Sequence, residues 1–142
     1  MKSLLLLLIL SLGSASYAIA ANGFEPDHKL VIQVSSDDPR IHKLALSNAI
    51  NVQKALGMDN VAIEIVAYGP GLSLLAGASS ESERVPNLLI QGIEFTACGN
   101  TIDSMEQSSG QKITLIDGVT VTQAGVVRIM ELQSQGYHYI RP

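Results

Sequence analysis

Apolar residues along this chain follow two alternating rhythms, short β-branched runs and longer stripes at helical spacing. Leu30-Val31-Ile32-Gln33-Val34 has the length and composition of a strand. Ser35-Ser36-Asp37-Asp38-Pro39 then turns the chain into a helix. Asp38 is placed to cap free N–H groups, and Pro39 to take the first helical position, where a missing donor costs nothing. Apolar positions at Ile41, Leu44, Ala45, Ala49, Val52, Ala55 and Leu56 continue that helix up to Gly57. Val61–Val66 reads as a second strand, followed by the Tyr68-Gly69-Pro70-Gly71 turn and a short helix over Leu72–Ala76. Ala78–Glu83 is small and polar and reads as the loosest surface loop. A short helix over Arg84–Gln91 stops at Gly92. Ile93–Ala97 forms the third strand and runs directly into Cys98, and Gly99–Ser108 reads as a helix with Ile102 and Met105 inward. Ile113–Ile116 and Val119–Thr122 both qualify as the fourth strand, divided by Asp117-Gly118; the second is preferred because it lies closer to the next helix. That helix covers Ala124–Gln135, with Val127, Met130 and Ile129 expected inward, and Tyr137–Ile140 closes the chain as a strand.

Strands alternating with helices through short connections imply a parallel sheet with helices on both faces. Near-continuous apolar strands fit a sheet covered on both sides. The expected fold is therefore a three-layer α/β/α sandwich with a mainly parallel sheet of about five strands, in one domain over residues 29–142.

The N-terminus has a different character. Met1-Lys2, the apolar run Leu4–Leu12 and the small residues ending in Ala18-Ile19-Ala20 match a cleaved secretory signal over residues 1–20. The run is shorter than the ~20 residues a membrane span requires, so no membrane insertion is expected after cleavage. Residues 21–28 read as a polar lead-in, and the protein is expected to be exported, periplasmic or secreted. The net charge is −4, with 13 acidic against 9 basic residues and no tryptophan. An acidic chain without basic runs or stacking aromatics is a poor ligand for nucleic acid. Export usually brings disulfides, yet a single cysteine cannot form one within the chain.

That cysteine is the centre of the candidate chemistry. In such sheets ligands gather beyond the carboxyl ends of the strands, where the loops Ser35–Asp38, Tyr68–Gly71 and Cys98–Thr101 leave. Cys98 stands where a strand gives way to a helix, so helix N–H groups can stabilise its thiolate; it can equally be a small buried hydrophobe. Gly99 permits close backbone approach, Asn100 and Thr101 can donate hydrogen bonds, and Ser35, Asp37, Tyr68 and Gly69 are candidate wall residues. Gly69-Pro70-Gly71 lacks both P-loop and dinucleotide-turn spacing and reads as a rigid turn. Of the three histidines, His28 falls at the opposite end of the sheet, His42 reads as a solvent-facing helix residue, and His138 as structural. No metal site or other cofactor is expected from such scattered ligands. Glu64 and Glu94, unusual inside strands, suggest sheet edges or a subunit contact.

The Cys98-Gly99-Asn100-Thr101 turn, the Tyr68–Gly71 loop, the helix start Ala124-Gly125-Val126-Val127 and the closing Gly136–Pro142 segment together resemble DsrE/DsrF-like proteins, over most of residues 29–142. The resemblance implies a small α/β/α domain, assembly as a homo-oligomer (trimer or hexamer), and a cysteine carrying sulfane sulfur as a persulfide between donor and acceptor proteins. By position, Cys98 matches the persulfide-bearing cysteine, while Ser35, Asp37, Tyr68 and Asn100 match the loops around it. The relay proteins of that family are cytoplasmic, so an exported member argues against a role in tRNA thiolation. The expectation is an exported sulfurtransferase-like persulfide carrier. The alternatives are a non-catalytic subunit that binds a small molecule or protein around a structural cysteine, and a redox-sensing thiol.

Overall fold

Five strands, each parallel to its neighbours, form one sheet in a computed structural model that describes residues 25–142. Residues 1–20, expected to be a signal, and residues 21–24 lie outside the described residues. In chain order the elements are β1 (His28–Val34), α1 (Pro39–Leu56), β2 (Val61–Ala67), α2 (Val85–Ile90), β3 (Ile93–Cys98), α3 (Gly99–Ser109), β4 (Thr120–Thr122), α4 (Gly125–Ser134) and β5 (His138–Ile140). The spatial order is β4-β3-β2-β1-β5. The chain steps one strand at a time from β1 to β4, and α4 then returns it across the sheet to β5 beside β1. The three-layer α/β sandwich expected from the sequence is the fold observed.

Strand side chains alternate between faces, and the two faces differ in character. Leu30, Ile32 and Val34 of β1, Ile63 and Ile65 of β2, and Ile93, Phe95 and Ala97 of β3 point to one side. There they pack with Ala45, Leu46 and Ala49 of α1, Leu72 and Leu74 from a short 3-10 turn, and Val85 and Leu88 of α2. On the other side only Val31 and Val66 meet Ile129 and Leu132 of α4, with Tyr68 and Tyr137 at the margin.

Several local expectations need correction. The buried stripe of α1 is His42, Ala45, Leu46, Ala49 and Gln53, while Leu44 and Leu56 are exposed. Two polar residues enter the stripe because each finds partners: His42 bonds the Ser36 carbonyl at 2.6 Å and Ser79 Oγ at 2.7 Å, and Gln53 donates to the Gln91 carbonyl at 2.9 Å. His42 is thus fully buried, not solvent-facing. The Ala78–Glu83 loop is tied in by the His42–Ser79 bond, and Ser82 is buried with its hydroxyl donating to the Leu74 carbonyl at 2.7 Å. Thr120–Thr122 is the fourth strand; Ile113, Leu115 and Ile116 lie irregularly against the core. Met105 of α3 is exposed rather than inward. In α4 the buried positions are Gly125, Ile129 and Leu132, whereas Val127 and Met130 are 48% and 63% exposed.

Candidate functional site

Alternation along β3 puts Glu94, Thr96 and Cys98 opposite Phe95 and Ala97, on the α4 side of the sheet. Cys98 is the last residue of β3 and stands at the N-cap position of α3, with extended backbone at φ −81° and ψ 115°. The chain turns tightly here because Gly99 has no side chain: a Cβ would stand 3.2 Å from the Thr122 carbonyl oxygen. The first residue of α4 closes in from another direction. A Cβ on Gly125 would lie 3.2 Å from Cys98 Cβ and 3.3 Å from Tyr68 Cβ. Two helix N-termini, those of α3 and α4, therefore meet at the thiol.

The donors on those termini set its acid–base character. Burial is the largest single influence and raises the thiol pKa, but it is outweighed by the Thr101 hydroxyl and the backbone N–H groups of Gly125, Thr101 and Asn100, the last of which also bonds the Gln123 carbonyl. The net result is a thiol below its ordinary value. Thr101 is well set for its part. Its Oγ1 accepts the Gly69 N–H at 2.9 Å, which leaves its own proton free for the sulfur. The protonated thiol has one acceptor in reach, the Gln123 carbonyl at 3.8 Å, a long and weak contact. The β4–α4 loop is pinned over the site by Gln123, whose carbonyl accepts the Asn100 N–H at 3.0 Å and whose side chain donates to Asn100 Oδ1 at 2.6 Å.

Beside the thiol lies an open cavity of ≈ 430 Å³ lined by Gly69, Pro70, Asn100, Thr101, Ser104 and Met105. Cys98 itself, 6% exposed, is not part of that lining. Thr101 links the two, since it borders the cavity and reaches the sulfur. Of the residues singled out from the sequence, Tyr68, Gly69, Gly99, Asn100 and Thr101 gather around Cys98. Ser35 and Asp37 do not. Ser35 accepts from Gln33 Nε2 and lines a separate cavity of ≈ 220 Å³ with Ser36, Ile41 and Arg141, and Asp37 is exposed. Asp38 caps α1 by accepting the Arg40 N–H at 2.9 Å. The Arg40 side chain and backbone hold its carboxyl at about 2, so it is a fixed negative charge and not an acid or base at neutral pH.

Glu64 overturns the expectation of a sheet edge. It sits on the central strand β2, 1% exposed, and its carboxylate takes two bonds from Arg128 of α4: Nε at 3.0 Å and Nη2 at 2.7 Å. Thr96 Oγ1 donates to the same carboxylate at 2.6 Å, and Thr120 Oγ1 lies 2.9 Å from Thr96 Oγ1. The sequence reading missed Gly125, Gln123 and Arg128. A signal for Gly125 and Arg128 existed in the spacing Gly125-Arg128-Ile129-Leu132, one face of a helix with a single charge on it. Among the described residues, no group of three or more His, Cys, Asp or Glu residues is arranged to hold a metal ion, and no helix is long and apolar enough to cross a membrane.

No family model and no curated protein matches this chain. Among solved structures it is similar to the "Protein of Unknown Function MTH1491 from Methanobacterium thermoautotrophicum". The two are 35% identical and superpose with a TM-score of 0.72, over 82% of this chain and 100% of the other.

Proposed function

We propose that this chain, which belongs to one family with the MTH1491 protein, is an exported sulfur carrier that holds sulfane sulfur as a persulfide on Cys98. The observation that carries this reading is the convergence of two helix N-termini and the Thr101 hydroxyl on a single thiol. Those donors favour the thiolate, the form that attacks sulfur electrophiles. In the proposed step Cys98 Sγ attacks the outer sulfur of a donor persulfide. A new Sγ–S bond forms, the donor S–S bond breaks, and its electron pair leaves on the donor thiolate, which takes up a proton. No external oxidant is needed. The likeness of the Cys98–Thr101 and Tyr68–Gly71 loops to DsrE/DsrF-like proteins supports the assignment, and the signal-like residues 1–20 support export. Purified folded protein given a polysulfide is expected to gain the mass of one sulfur atom, on Cys98 alone. No gain with several donors would overturn the reading.

A second reading rests on the low exposure of Cys98 and its absence from the cavity lining. It makes the cysteine structural, within a subunit that binds a small molecule or a protein. Such a thiol reacts with a disulfide reagent only after unfolding, whereas the carrier reacts in the native state. We also propose a homo-oligomer, supported by exposed Val121, Val126, Val127 and Met130 on β4 and α4. Light scattering that finds a single chain at micromolar concentration would remove it.

A further inference from the structure

The loop that covers Cys98 is held at both ends, and the two tethers lead to one carboxylate. Loop residues Gln123 and Ala124 join β4 to α4, and they supply the Gln123 carbonyl that faces the sulfur and lead directly into the Gly125 N–H. On the β4 side, Thr120 bonds Thr96, which in turn bonds Glu64. On the α4 side, Arg128, one turn beyond Gly125, makes a two-point bond to Glu64. Val119, just before β4, packs against the main core, but apolar packing does little within β4 or the first turn of α4. All of β4 is exposed or half-buried, and Val126 and Val127 in the first turn of α4 face solvent. The apolar anchors of the helix, Ile129 and Leu132, lie further along it.

We propose that Glu64 is a positioning residue for the Cys98 site, fixing the N-terminus of α4, through Arg128, and β4, through Thr96 and Thr120, so that Gly125 and the Gln123 carbonyl stay packed against Cys98. This inference rests on the reading of Cys98 as a reactive thiol. Glu64 touches neither the sulfur nor the cavity beside it. Other ionisable groups on the elements packed around Cys98 are Tyr68 after β2, Glu94 on β3, Asp103 and Glu106 on α3, and Arg128 and Glu131 on α4. None of them contributes a hydrogen bond to the sulfur.

The test measures the rate of Cys98 alkylation by iodoacetamide against pH in the full chain, and amide exchange at Gly125. Two variants are compared with wild type: Arg128→Met, which removes the fork, and Glu64→Gln, which keeps the size and the Thr96 bond but loses the charge. The expected result is a rise of about one unit in the thiolate midpoint for Arg128→Met, with about tenfold less thiolate at neutral pH. Gly125 exchange is expected to quicken, and Arg128→Lys to restore part of both effects. If Arg128→Met does not fold, Glu64→Gln carries the same expectation with a smaller rise. A low wild-type midpoint that stays unchanged in the folded variants overturns this inference and leaves the carrier reading standing. An ordinary midpoint in wild type overturns both.

Discussion

The two faces of the sheet are held by different forces. Under α1 and α2 the strands present Leu30, Ile32, Ile63, Ile65, Ile93 and Phe95, a continuous apolar layer. Under α4 the same strands present Gln33, Glu64, Glu94 and Thr96, with Val31 and Val66 as the apolar patch that seats the helix. Burial is non-directional and tolerates small shifts, whereas hydrogen bonds fix position to fractions of an ångström. The thiol sits on the polar face. Its chemistry depends on where backbone N–H groups point, and that face has the means to hold them.

The largest effect expected from this contrast lies on the apolar side. Phe95→Ala removes a fully buried ring and is expected to cost about 3–5 kcal/mol of stability, measured by denaturant unfolding. On the α4 side, Glu64→Leu alone is expected to cost about 3 kcal/mol, because Arg128 keeps only Glu131, 3.7 Å away, as a partner. The paired replacement Glu64→Leu with Arg128→Leu should come within about 1 kcal/mol of wild type, since neither charge is then left unpaired. If the double variant is as unstable as the single one, the ion pair is a stabilising element and the contrast between the faces fails.

Much of the scaffold was legible in the chain itself. The Asp38-Pro39 helix start, the stop at Gly57 and the strand running into Cys98 follow from local chemistry and are seen as expected. The five loop residues that gather around the thiol were legible because the carboxyl ends of parallel strands bring their loops together. What escaped was the orientation of helices whose inner faces are polar. Counting apolar residues turned α4 toward Val127 and Met130, while its true inner face carries Arg128. The same reasoning sent His42 outward, although Ser36 and Ser79 were available to satisfy it. Glu64 read as an edge residue because its partner lies 64 positions away, beyond any local pattern. Ser35 and Asp37 were grouped with the site by topology, but β1 ends two strands from β3 and its loop opens onto a different cavity.

Both outer strands of the sheet, β4 and β5, are only three residues long. A rim of that length offers an incoming strand few free amides and carbonyls, so the sheet cannot readily be extended from one molecule into the next. A second copy that docks on this protein would therefore have to recognise side chains, with exposed Val121, Val126, Val127 and Met130 among the apolar ones available. The same brevity makes either rim a poor template for fibril growth.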